Sequence, residues 1–126
     1  YGKVLSVEPK QLLALNNLAL LELDLGVPSA LDHAKTAYDL APNNPQLADT
    51  YGWVLFKRGN KELALLMLEA AAQGAPEDSG VQFHLAVALL SSGNRKDAAA
   101  AVQKALRNQD FPERAAAEKL AADLKR

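Results

Sequence analysis

The chain has 126 residues, 49% of them hydrophobic but only 6% aromatic, with alanine and leucine supplying most of the apolar content. Formal net charge is -1 and there is no cysteine, which excludes disulfides and thiolate metal sites and leaves no basic field to draw nucleic acid or an anionic membrane. The length suits one domain and the mix suits helices, while apolar runs such as LAVALL fall far short of the roughly 20 residues of a membrane span.

In chain order, residues 1–8, YGKVLSVE, read as the last turns of a helix whose partner precedes it, with Tyr1 and Val4 as its apolar positions. On that reading the chain is a piece of something longer, and its N-terminal end exposes an apolar strip through which a dimer can form. From Pro9 onward the sequence repeats. Pro9, Pro42 and Pro76 are spaced 33 and 34, as are Leu18, Tyr51 and Leu85, then Ala19, Gly52 and Ala86, then Gly26, Gly59 and Gly93. Beyond those glycines the spacing becomes 34 and 34, with Ala30, Ala64 and Ala98 followed by Ala37, Ala71 and Ala105. The switch places a one-residue deletion in the first unit's turn, GVPSA against GNKELA and GNRKDA. A fixed period of this length signals stacked supersecondary units.

Each unit reads as two helices. The first carries apolar residues at helical spacing, for example Leu15, Leu18, Ala19 and Leu23, and stops at a glycine suited to the left-handed residue that ends many helices. The second starts within a few residues and ends near a proline, in LAPNNP and GAPEDS; Pro28 sits where a first-turn proline is tolerated. Gly52, placed between Tyr51 and Trp53, is costly inside a helix by roughly 1 kcal/mol against alanine. It shares a column with Ala19 and Ala86, and small residues let helix axes approach to about 8–10 Å. Gly52 is therefore expected to be a packing glycine, with Tyr51 wedged against a neighbouring helix.

These residues resemble the tetratricopeptide repeat (TPR) family. The second unit matches its pattern at Tyr51, Gly52, Leu55, Ala64, Leu68, Ala71 and Pro76. The first matches at Leu15, Leu18, Ala19, Ala30, Ala34, Ala37 and Pro42, and the third at Leu85, Ala86, Leu89, Ala98, Val102 and Ala105, with Asp110 where proline is expected. The resemblance implies an all-α, right-handed superhelical α-solenoid of helix-turn-helix hairpins. Its units would be 10–42, 44–76 and 78–110, followed by a capping helix over 112–126. In that last segment Ala117, Leu120, Ala121 and Leu124 form an apolar stripe opposite Glu118, Lys119, Asp123, Lys125 and Arg126, which gives the polar outer face a terminal unit needs. ALDHAKTAYDLAPNNP, DTYGWVLFKRGN, FHLAVALLSSGNRKDA and FPERAAAEKL are also similar to the C-terminal part of bacterial TPR lipoproteins of PEP-CTERM/exosortase systems. That likeness implies a scaffold in the periplasm or cell envelope, serving protein export or exopolysaccharide assembly, with the cytoplasm as the alternative.

No enzyme signal emerges. GNKELA and GNRKDA lack the ending of a phosphate loop. His33 and His84 lie in different units, without acidic or histidine neighbours one turn away on both sides to build a metal site. Ser91 and Ser92 read as a polar helix end, and the acidic residues look dispersed over solvated faces. Neither cofactor nor metal is implied. In a TPR superhelix the first helices line the concave groove. The groove residues would be Leu13, Asn16, Asn17 and Leu20, then Gln46, Asp49, Thr50 and Trp53, then Phe83, His84 and Val87, with Lys57 and Ser91 further along. The core of this set is Asn16, Asn17, Leu20, Asp49, Thr50, Trp53, Phe83 and His84, expected to bind a protein or peptide. Asn side chains can bond a peptide backbone in both directions, and an exposed Trp is a typical hot-spot residue. Two other readings stay open: Trp53, Phe56 and Phe83 as core aromatics filling the space between helices, and the chain as a structural cap with its binding site upstream. Family members that grip a C-terminal carboxylate place Lys and Arg on the third unit's first helix. Gly80, Phe83 and His84 stand there instead, which argues against that ligand.

Overall fold

The computed structural model describes residues 9–108 and 111–125; the expected helix end over 1–8, Asp110 and Arg126 lie outside them. The described residues form seven α-helices and no strand: α1 (Pro9–Leu25), α2 (Ser29–Leu40), α3 (Pro45–Lys57), α4 (Lys61–Gly74), α5 (Ser79–Ser91), α6 (Arg95–Leu106) and α7 (Arg114–Leu124). Each packs on the next, α1 also touches α3, and α3 touches α5. Helices α1, α3 and α5 therefore make a continuous layer.

The hairpin turns follow from three glycines. Gly26, Gly59 and Gly93 have φ of 74°, 94° and 89°, the left-handed region that a side chain disfavours. Beyond each glycine the next amide donates back five residues: Val27 to Glu22, Asn60 to Leu55 and Asn94 to Leu89, at 2.8, 3.0 and 2.9 Å. This is the helix-ending pattern that satisfies an otherwise orphaned carbonyl. The turns into α3 and α5 rely on capping side chains. Asn44 Oδ1 accepts from the Gln46 amide at 2.9 Å, and Asp78 Oδ1 from the Val81 amide at 3.2 Å. Pro28 stands one position earlier than a first-turn proline, at the N-cap of α2.

The small-residue columns mark where helices meet. Ala19, Ala86, Ala30, Ala64 and Ala98 are all fully buried. An added Cβ on Gly52 would lie 2.9 Å from Leu68 Cγ and 3.0 Å from Met67 Cβ, so α3 and α4 are closer there than any side chain permits. Tyr51 is buried and stacks on Tyr38 of α2 with ring centroids 5.3 Å apart, which is the expected wedge between hairpins. Its column-mate Leu18 is 40% exposed, because α1 has no hairpin before it among the described residues. Leu13, Leu21 and Leu25 are exposed on the same helix. At the other end Ala117 and Ala121 of α7 are buried against α5 and α6, with Leu120 and Leu124 packed alongside.

Candidate functional site

A cavity of about 620 Å³ opens over the odd-numbered helices. Asn16 and Leu20 line it from α1, Gln46, Asp49, Thr50 and Trp53 from α3, and Ser79, Gly80 and His84 from α5. The segment ahead of α7 closes it with Phe111, Pro112 and Glu113. Six of the eight core residues expected from the sequence thus meet at one surface, and two do not. Asn17 is exposed and outside the lining. Phe83 is only 8% exposed and clusters with Ala86, Leu89, Ala117 and Ala121; it is core.

The repeat explains that correction. Asn16, Asp49 and Phe83 share one column, whose side chains face the following hairpin. For Asp49 the next element is α5 and its His84; for Phe83 it is α7, whose alanines leave an apolar space that an aromatic ring fills. Of the outer positions, Gln46 lines the cavity, Lys57 lines a smaller depression beside it with Arg58, and Leu13 and Ser91 are exposed. Val87 packs against the same core cluster as Phe83.

His84 is the electrostatic centre. Its Nδ1 lies 2.9 Å from Asp49 Oδ1 and its Nε2 3.5 Å from Glu113 Oε2. Both Asp49 and His84 are 8% exposed. Burial by itself pushes the imidazole toward neutrality, but hydrogen bonds to Asp49 and Glu113, with their charges, outweigh it and raise the pKa to about 9. Glu113 is held below the usual carboxylate range, chiefly by its hydrogen bond to His84. The two carboxylates grip opposite ring nitrogens, so their oxygens do not converge on a point where a cation could sit. What they do is tie α3, α5 and the start of α7 together.

The Trp53 ring lies flat on His84, centroids 4.1 Å apart and 19° from parallel, with Phe56 stacked 5.6 Å away. Lys57 Nζ sits 4.7 Å from the same ring's centroid. Trp53 is half-buried and lines the cavity, so part of its ring is open to that surface while the rest packs on Phe56 and His84. Its contact with His84 gives an indole face against a charged ring, a cation–π arrangement.

No family model and no curated protein matches the sequence. Solved structures do. The type III secretion translocator chaperone SycD of Yersinia enterocolitica superposes with a TM-score of 0.78 at 19% identity, over 94% of each chain. Its complex with a peptide of the translocator YopD gives 0.76 at 18%, over 94% of this chain and 95% of that one. The TPR domain of Aspergillus fumigatus Sgt2 gives 0.76 at 22%, over 96% and 80%. The fold is that of TPR proteins.

Within that TPR fold, sequence reasoning missed the acidic lining. Asp24, Asp49, Glu77, Asp78 and Glu113 all face the cavity, and no lysine or arginine does. Glu77 and Asp78 come from the turn before α5, and Glu113 from the turn before α7. Five of the fifteen acidic residues are therefore gathered at one surface and not dispersed as their spacing along the chain suggests. A helical period describes one helix, whereas these side chains converge from three separate turns or helix ends, so only the column logic of Asp49 hinted at them.

Proposed function

We propose that the chain is a non-catalytic interaction scaffold that holds a peptide or protein segment in the cavity over α1, α3 and α5. The observation that carries this reading is Trp53: a half-buried indole on the cavity wall, backed by His84, of the kind that dominates binding energy at interfaces. SycD with its YopD peptide and the yeast Sti1 TPR2AB–pHSP90 complex (TM-score 0.79, 13% identity, 95% of this chain and 48% of that one) are peptide-bound proteins of this fold. They support peptide binding here by analogy of architecture. The units 10–42, 44–76 and 78–110, and the cap over 112–126, are the divisions this reading uses.

The similarity to envelope lipoproteins supports a narrower version, a role in protein export or exopolysaccharide assembly, which fractionation of the source cells would test. The structural-cap alternative draws on α7, whose apolar face seals the last hairpin. A photo-crosslinking residue at Thr50 separates the two readings. Groove binding predicts partner adducts that disappear in Trp53→Ala while helicity persists. Adducts unchanged by Trp53→Ala, or absent altogether, would favour the cap.

A further inference from the structure

The cavity has a marked chemical bias. Five carboxylates face it against one imidazolium, His84, and that cation is already shared by Asp49 and Glu113. Asp78 accepts from Gln46 Nε2 and from the Val81 amide. Asp24 and Glu77 are exposed and form no ion pair among the described residues. Carboxylates gathered at one wall repel one another and raise the local concentration of cations.

A second observation points the same way and is independent of charge. Ser79 lines the cavity and is 4% exposed, yet its hydroxyl has no hydrogen-bond partner in the protein; nor does the side-chain carbonyl of Asn16, also in the lining. Buried polar atoms are nearly always satisfied, so this pair leaves hydrogen-bonding capacity for a polar ligand: the Asn16 carbonyl can take a donor, and the Ser79 hydroxyl can donate or accept. Trp53 adds a third. Lys57 Nζ over its ring is a direct instance of this indole taking an ammonium group. Lys57 and Arg58 stand past Trp53 at the C-terminal end of α3, so the acidic stretch has a definite end.

We propose that the cavity takes a cationic segment of a partner polypeptide, presenting lysine or arginine side chains to Asp24, Glu77, Asp78 and Glu113, and that it rejects acidic or carboxylate-terminated segments. This rests on the reading that the cavity is the ligand site. Lysine and arginine carry only donors, which suits a wall rich in carboxylate acceptors, of which Asp24 and Glu77 are exposed and in no ion pair among the described residues. The repulsive half of the selectivity comes from the same carboxylates acting against an acidic chain.

The test uses three short, end-blocked peptides of equal length and apolar content, bearing lysine, glutamine or glutamate at the same positions. Binding is followed by the fluorescence of Trp53, the single tryptophan, and by calorimetry. The lysine peptide should bind tightest, weaken with added salt as exposed charge pairs do, and lose roughly fivefold in affinity with Asp24→Asn/Glu77→Gln, in line with two surface pairs. If the glutamine or glutamate peptide binds as well as the lysine one while shifting Trp53 fluorescence, the cationic preference is wrong and the groove reading stands. Binding of the lysine peptide that leaves Trp53 and the double variant unaffected places it elsewhere on the molecule and overturns the inference. No heat and no fluorescence change with any peptide removes both.

Discussion

Replacing Gly52 with alanine sets two effects of similar size against each other. In an exposed helix the change would stabilise by roughly 1 kcal/mol, because alanine restricts the unfolded chain and favours the helix. Here the new Cβ would stand 2.9 Å from Leu68 Cγ, 3.1 Å from Leu68 Cδ2 and 3.0 Å from Met67 Cβ. Leu68 is fully buried and cannot swing away, and Met67 Cβ is fixed to the backbone of α4, so the hairpin itself must open. Overpacking of this kind costs about 1–3 kcal/mol. The net expectation is a loss of about 1 kcal/mol, lowering the melting temperature by roughly 4 °C for a chain this long. Leu68→Ala tests the cause. Alone it should cost about 2–5 kcal/mol by leaving a cavity, but it removes both leucine contacts. The Met67 Cβ contact at 3.0 Å remains in that background, so Gly52→Ala should cost less than in the parent chain, giving a coupling energy of about 1 kcal/mol in the double-mutant cycle. Urea titrations followed by circular dichroism measure all four corners. If Gly52→Ala stabilises the parent chain, or costs the same with and without Leu68, the close-approach argument fails.

Gly59 offers the opposite case, since an added Cβ there meets nothing within 4 Å but φ is 94°; Gly59→Ala should cost about 1–2 kcal/mol from backbone strain alone, and Leu68→Ala should leave that cost unchanged. Protonated His84 stabilises the fold, and the sign follows from its raised pKa. The contribution is complete below its unfolded value of 6.5, declines as pH rises, and is gone above about 9. The shift corresponds to about 3 kcal/mol, so the melting temperature should fall across that window. The Asp49→Asn/His84→Gln pair, which leaves only the partly exposed Glu113 carboxylate without its partner, should flatten the profile, and an unchanged slope would show that another group titrates. The exposed leucines of α1 should drive concentration-dependent self-association, seen by light scattering and reversed by Leu21→Lys; a monomer at every concentration would count against those leucines as a contact surface.

The hairpin architecture was legible in the sequence because its causes are local and recur. A left-handed turn needs glycine at Gly26, Gly59 and Gly93, and a close helix crossing needs a small residue at Ala19, Gly52 and Ala86, so each requirement leaves a mark at a fixed interval. The helix-borne part of the cavity wall, Asn16, Leu20, Gln46, Asp49, Thr50, Trp53 and His84, was legible too, since a helix face can be read from spacing once the neighbouring helix is known. Phe83 escaped that logic because its surroundings depend on α7, which lies outside the repeat and offers alanines where Asp49 meets a histidine. The ion-paired His84 and the five converging carboxylates were decided by tertiary structure alone. Asp49 and Glu113 reach His84 from separate elements 35 and 29 residues away in sequence, and both the strength of their grip and the sign of the pKa shift come from the burial that packing imposes.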